Sequence, residues 1–369
     1  MDRRKLESIL LTPSVTRNYM NVNDLETPVM VVDVDQVERN LVKMQTYCDK
    51  HGLGLRPHIK THKMPHLARR QLELGAIGIT CQKLSEAMVF AQAGLTDIFV
   101  SYAIIGGLKA ARLAALAQIA EIKVAADSAD AVKTASEAAA SAGRTIGVIV
   151  DFDSGANRTG VVSVDEAFVL AKLANELPGT SFAGLMTYPT TELSVEFIRL
   201  AQDRFAREGV EIGIVSGGGT PNAWSAHQVK GLTEVRVGTY IYFDRSQVGL
   251  GASSLDECAA HVHATVVSRP TPDRAILDSG SKSLSSDFAN VGVGYGLIRE
   301  YPNAIINRLY EEHAVVDLAA CSTRPTIGER VRVLPNHICV VTNLHDTIAA
   351  VSQDRLVDFW RVEARGKTI

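Results

Sequence analysis

The sequence predicts an α/β chain in which a (β/α)₈ barrel of the TIM type is followed by an all-β domain. Two observations predict it. From about residue 53 to 245, short β-branched apolar runs alternate with Ala-, Leu- and Glu-rich stretches of helical spacing, the rhythm of consecutive βα units. After residue 250 the texture changes to short strands separated by Pro, Gly, Asp and Ser clusters, with little helix between them.

In chain order the expected barrel strands are "LGLRPHI" (53–59), "AIGITC" (76–81), "DIFVSY" (97–102), "EIKVAAD" (121–127), "IGVIVDFD" (146–153), "FAGLMTY" (182–188), "GIVSG" (213–217) and "VRVGTYIYF" (235–243). Segments such as "MPHLARRQLELG", "KLSEAMVFAQAG" and "DEAFVLAKLANEL" lie between them, with apolar residues at helical spacing. Eight such units suggest barrel closure, although a doubly wound open sheet has the same local pattern. The early run "TPVMVVDVD" (27–35) is assigned to the β domain together with "HVHATVVSRP", "RAILDSGS", "HAVVDLAA", "RVRVLPNHICVVT" and "TIAAVS". The expected division is therefore residues 36–250 for the barrel and 1–35 plus 251–369 for the β domain.

Composition narrows the function classes. At 369 residues, 46% hydrophobic and 21% charged, the chain has the make-up of a globular protein with one large core and a smaller one. A net charge of −3 provides no basic field for a phosphate backbone, so a nucleic-acid partner is not expected. The basic N-terminus "MDRRKLESILLTPSV" carries too short an apolar run for a signal segment, and no apolar stretch reaches 18 residues, so the expected location is cytoplasmic and away from membranes. Five scattered cysteines, Cys48, Cys81, Cys258, Cys321 and Cys339, do not suggest a disulfide framework and leave room for a thiol with a specific task.

In a barrel, residues at the carboxyl ends of the strands converge on one face. Lys60, in "GLRPHIKTHK", follows the first strand there, Arg158 follows the fifth, Tyr188 closes the sixth, and "SGGGTP" (216–221) follows the seventh. A lysine at a rigid strand end, desolvated and near cations such as Arg56, His58 and Lys63, would keep a free amine able to form a Schiff base. Gly217, Gly218 and Gly219 allow backbone N–H groups to approach an anion, with Ser216 and Thr220 adding hydroxyls. Gly238 and Thr239 lie in the neighbouring eighth strand, and loops after the last two strands form the usual phosphate position of a barrel. An aldehyde-and-phosphate cofactor joining Lys60 to this cradle is a coherent reading. In the β domain, His337 and Cys339 alternate at i, i+2 on an expected strand and so share a face that suits a cation such as zinc. His345, Asp346, Glu312 and His313 are further ligand candidates.

Taken together, "RPHIKTHK", "DFDSGANRTG", "SGGGTP", "EVRVGTY" and "LPNHIC", in this order, resemble the D-threonine aldolase and D-serine dehydratase family. The resemblance implies pyridoxal 5′-phosphate on an alanine-racemase-type (fold-type III) barrel followed by a β domain, in a homodimer. It implies Lys60 as the lysine that holds the cofactor, Tyr188, Ser216, Gly238 and Thr239 as cofactor contacts, and Arg158 near the ring substituents. Gln82 is implied as a polar group near the cofactor, and His337 with Cys339 as metal ligands. Two departures stand out. Tyr188 is followed by Pro189, Thr190 and Thr191, where the family commonly has a Gly- and His-containing turn. At the metal position the sequence reads His-x-Cys, the dehydratase form, where the aldolases have His-x-Asp. A thiolate favours zinc over manganese or magnesium. The reading is thus a lyase for a β-hydroxy D-amino acid, of the dehydratase kind, releasing water to leave a keto acid and ammonia. The alternative is retro-aldol cleavage to glycine and an aldehyde. A racemase, or a non-catalytic carrier of the cofactor, ranks lower, because no second acid/base is identifiable for the former and carriers lack the β domain.

Overall fold

The computed structural model describes residues 20–289 and 292–369. The expected N-terminal part of the β domain, 1–19, lies outside the described residues. The chain divides into two compact units, one made of residues up to Asn40, Tyr242–Gly249 and Ser253–Val362, the other of Leu41–Ile241, Leu250–Ala252 and Glu363–Ile369. Among the described residues, no helix is long and apolar enough to cross a membrane.

The first strand, β1 (Val29–Asp33), precedes the barrel strands in sequence but belongs to the first unit. The eight barrel strands follow: β2 (Gly54–Leu55), β3 (Ile79–Cys81), β4 (Asp97–Ala103), β5 (Glu121–Ala126), β6 (Ile146–Asp151), β7 (Thr180–Met186), β8 (Ile214–Gly218) and β9 (Glu234–Arg236). All neighbours pair in parallel, in the order β2-β9-β8-β7-β6-β5-β4-β3. Closure comes from a parallel bridge between His58 and Thr80, with the Thr80 N–H donating to Pro57 O. The alternation read from the sequence is therefore a closed barrel. Helices begin where side chains satisfy their first amides: Ser128 Oγ accepts from Ala131 N, and Ser163 Oγ from Glu166 N. Gly143 ends the helix Ala129–Ala142 in the left-handed region at φ 62°.

The barrel interior has an apolar layer and a polar base. Phe99, Ala125, Ile149 and Met186, from four consecutive strands, form one buried layer. An ion-pair chain links the residue after β2 with β4, β5 and β9. Arg56 donates to Glu234 at 3.0 Å and to Asp97 at 2.7 Å, and Lys123 reaches the same Asp97 oxygen at 3.2 Å.

The other unit centres on a nine-stranded sheet with β1 inside it, antiparallel to β10 (Ala260–Thr271) and parallel to β16 (Thr347–Ser352). Its remaining strands are β11 (Arg274–Leu277), β12 (Leu297–Ile298), β13 (Ile305–Leu309), β14 (Ala314–Asp317), β15 (Arg330–Leu334) and β17 (Arg355–Arg361). Val22, Leu25, Val31, Ala349, Val351 and Leu356 pack one face of it.

Two sequence expectations are corrected here. The strand expected over 235–243 stops at Arg236, because Thr239–Ile241 forms a 3₁₀ turn. The strand expected to carry His337 and Cys339 is absent: β15 ends at Leu334, before Pro335, and Ile338–Thr342 is a short helix with His337 at its N-cap.

Candidate active site

The turn after β2 explains which lysine is free. Ile59–Thr61 is a 3₁₀ turn, and His58 Nδ1 accepts the Lys60 backbone N–H at 3.4 Å. With Nδ1 as acceptor, Nε2 carries the proton toward Gln82 Oε1 at 3.1 Å. Burial, and then the nearby Lys60 charge, hold His58 well below its ordinary value, so it is a neutral orienting group. Lys63, three residues on, is buried and donates to Glu86 Oε1 at 2.7 Å, while Glu86 Oε2 accepts the Gln82 N–H at 2.8 Å. The expected cationic field around Lys60 is thereby corrected: Arg56 and Lys63 are neutralised by carboxylates, and His58 is uncharged. Lys60 Nζ stands 6.0 Å from the centre of the Tyr188 ring.

The glycines meet the same ring. A Cβ on Gly218 would lie 3.2 Å from Tyr188 Cδ2, and one on Gly219, whose φ is +118°, 3.7 Å from Tyr188 Cε2. A Cβ on Gly238 would come within 2.9 Å of both His58 O and Thr61 Oγ1, so only glycine lets the chain after β9 run this close to the Lys60 turn. Arg158 reaches Tyr188 from the β6 side, its guanidinium carbon 4.7 Å from the ring centre. The loop carrying it is tied down by Thr159 Oγ1 donating to Asp151 Oδ2 at 2.9 Å and by Asp153 Oδ1 accepting from Gly155 N and Asn157 N. Burial raises the Asp151 carboxyl to about 6, against the pull of Thr159 and of Arg236.

Ser216 faces inward. Its Oγ donates to Glu234 Oε1 at 2.6 Å and accepts from Arg236 at 2.5 Å, while Arg236 also donates to Thr187 O at 2.7 Å. Burial brings the Arg236 guanidinium down to about 10, leaving it charged at neutral pH. Sequence reasoning missed Arg236, Glu234, Asp151 and Glu86. A signal existed for the first two, since Glu234 and Arg236 alternate in "EVRVGTY" and so share the barrel face. Thr239 is buried beside Gly238. Lys60, Gln82, Tyr188, Gly218, Gly219 and Gly238 thus share one connected neighbourhood, with Arg158 at its edge.

In the other unit, Asp244 organises the expected metal pair. Asp244 is fully buried; its Oδ2 accepts from His337 Nδ1 at 3.0 Å and from Ile338 N at 3.0 Å, capping the short helix. The Cys339 thiolate, with Asp244 adding to it, holds the His337 imidazole up to about 11. His337 and Cys339 are therefore brought together despite the helix. His345 Nε2 bonds Ser283 O, and Glu312 pairs with Lys282. Among the described residues no group of three or more His, Cys, Asp or Glu side chains forms a ligand cluster. Burial raises all four remaining thiols, Cys48 and Cys258 to about 12, Cys81 well above its ordinary value and Cys321 above it, which disfavours their thiolates.

Both donor sets suit the groups they suggest. Glycines at 217, 218 and 238, where a Cβ would crowd its neighbours, and at 219, whose φ of +118° disfavours a side chain, beside a lysine whose neighbour Lys63 is already paired, fit an aldehyde-and-phosphate cofactor. An imidazole held at Nδ1 by a buried carboxylate, next to a thiol, fits a soft divalent cation.

Comparison with known proteins bears on the fold and the family. Residues 32–246 match the alanine racemase N-terminal domain, and 259–351 a putative serine dehydratase domain. The chain is 37% identical to a D-threonine aldolase of Arthrobacter sp., over 93% of each chain. It is 30% identical to D-threo-3-hydroxyaspartate dehydratase of Delftia sp. (strain HT23), over 91% of this chain and 97% of that one. A histidine and a cysteine variant of a D-threo-3-hydroxyaspartate dehydratase, altered two positions apart, have solved structures, the cysteine variant in a metal-free form. The crystal structure of D-threonine aldolase from Filomicrobium marinum superposes with a TM-score of 0.85 at 30% identity, covering 96% of this chain and all of that one. Barrel, β sheet and both domain matches together make the chain a member of the alanine-racemase-like family of pyridoxal-phosphate lyases that includes D-threonine aldolases, D-serine dehydratases and 3-hydroxyaspartate dehydratases.

Proposed function

We propose that the chain cleaves a β-hydroxy D-amino acid by a retro-aldol reaction, releasing glycine and an aldehyde. The observation that carries this over dehydration is the 37% identity to a D-threonine aldolase along 93% of both chains, against 30% to the dehydratase. Lys60 would hold pyridoxal 5′-phosphate through its amine, and the cofactor would supply an electron sink for charge at Cα. The residues around it have separate tasks. His58, neutral and hydrogen-bonded to the Lys60 backbone and to Gln82, keeps the lysine turn rigid. The glycine turn 217–219, with Gly238 and Thr239, receives the phosphate. Tyr188 and Arg158, stacked on each other, would line the space beside the cofactor. In the retro-aldol direction a base takes the β-hydroxyl proton, the Cα–Cβ bond breaks to release the aldehyde, and Lys60, with its amine free, would deliver the one proton that Cα needs to become glycine. His337 Nε2 and Cys339 Sγ would hold a divalent metal, zinc by ligand softness, which would supply a Lewis acid for an oxygen ligand.

Dehydration remains the second reading because Cys339 occupies the position where the family's dehydratases carry cysteine. The two reactions part in their products. Incubated with D-threonine, the holoenzyme is expected to yield glycine and acetaldehyde in equal amounts. Ammonia and 2-oxobutyrate in their place would overturn the aldolase reading in favour of dehydration.

A further inference from the structure

We propose that Thr190 is a positioning residue that sets the glycine turn for the cofactor phosphate by deciding which of its amides face the anion; this rests on the assignment of residues 217–219 to that phosphate. The "YPTT" stretch, where the sequence departs from its family, leads into the helix Glu192–Arg207 and lies against the glycine turn. The regular β7–β8 ladder ends at the Met186–Ser216 pair, and the Thr187 N–H adds one more bond, to Ser216 O at 3.1 Å. Beyond that point two parallel chains have nothing to hold them in register. Thr190 provides it. Its N–H donates to Gly218 O at 3.0 Å, and its Oγ1 accepts the Gly218 N–H at 3.0 Å, so the two residues clasp each other in both directions. Asn222 Nδ2, just past the turn, donates to Thr190 O at 2.9 Å, closing a ring around the glycines. The fit is tight: Thr190 is 8% exposed, and a Cβ on Gly217 would lie 2.7 Å from its Oγ1.

This clasp has a chemical consequence. The Gly218 amide is already satisfied by Thr190, so it is not a phosphate donor. The next amides, of Gly219 and Thr220, have no acceptor among the described residues, and they open the nine-residue 3₁₀ helix Thr220–Gln228. With Gly219 at φ +118°, a conformation side chains avoid, the turn directs these two amides together only while Gly218 stays clasped. A β-branched residue with a hydroxyl suits the task, because its Cβ branching restricts χ1 and fixes Oγ1 toward the amide.

The test compares two probes on the apo-protein, pyridoxal 5′-phosphate and pyridoxal, which differ by the phosphate alone. Affinity is read from the visible absorbance of the bound form. The wild type is expected to bind the phosphorylated probe more tightly. Thr190→Val, matched in shape but without the acceptor, should shrink that preference ~tenfold, the scale of one lost buried hydrogen bond, while pyridoxal affinity stays within about twofold. The ³¹P shift of the bound phosphate should move as well. Thr190→Ser, which restores a hydroxyl, should recover most of the preference. If Thr190→Val does not fold, Thr190→Ala carries the same expectation. An unchanged preference in the valine or alanine variant, or a serine variant as impaired as they are, would overturn the role of Thr190. A wild type that binds both probes equally would instead refute the phosphate assignment, and the inference with it.

Discussion

Lys60 and Lys63 lie in one turn, and replacing each by Met separates holding the cofactor from supporting the fold. Lys63 Nζ and Glu86 Oε1 are 2.7 Å apart, with side chains only 9% and 1% exposed, so solvent screens the pair little. Removing one member of such a pair leaves an uncompensated buried charge and costs about 3–5 kcal/mol. At about 2–4 °C per kcal/mol for a domain of this size, Lys63→Met should lower the melting temperature by about 6–20 °C. Adding Glu86→Gln should recover at least half of that, because the amide is neutral yet still accepts the Gln82 N–H. Lys60→Met should melt close to the wild type and lose all turnover. Borohydride reduction followed by peptide mapping completes the assay: the cofactor should be fixed to Lys60 in the wild type and in the folded Lys63→Met variant. Label on Lys63, or a Lys63→Met protein of wild-type stability that no longer takes up cofactor, would refute the reasoning.

Three further outcomes are expected. Gly238→Ala should weaken cofactor binding, read by titration of the apo-protein, since its Cβ would press on His58 O and Thr61 Oγ1 at 2.9 Å; unaltered affinity would show that the Lys60 turn does not depend on this approach. Asp151 has its carboxyl raised from 3.8 to about 6, so the folded state holds the extra proton, and stability present below pH 3.8 is lost as pH rises through 6. The span is about 3 kcal/mol, and Asp151→Asn should flatten it in denaturation curves at pH 4.5 and 7. Chelation should abolish turnover while the bound cofactor persists, zinc should restore it, and Cys339→Asp should shift the restoring metal toward manganese or magnesium. Turnover indifferent to chelation would reduce His337 and Cys339 to a structural pair.

Much of the fold was legible along the chain because its signals are local. Alternating β-branched runs and apolar residues at helical spacing depend on residues a few positions apart, and they located eight strands that do form a parallel barrel. The run "TPVMVVDVD" contains β1, which pairs with β10 and β16. Where local signals misled, a distant partner had intervened. The apolar alternation around His337 reads as a strand, but Pro335 breaks the ladder, and the Asp244 carboxylate, 93 residues earlier, caps the helix that forms instead. The cations Arg56 and Lys63 read as a field around Lys60, yet Glu234, Asp97 and Glu86 neutralise them from elsewhere in the chain. Thr190 has no visible link to Gly218 in the sequence, because 28 residues separate two groups that the β7–β8 register brings into contact. By itself the sequence determined the order of elements and the kinds of chemistry available, since periodicity and turn geometry are properties of neighbours. Only the tertiary structure decided which charges are paired, which hydroxyls are engaged and which lysine is left free, because ion pairs and hydrogen bonds depend on distances that closing the barrel creates.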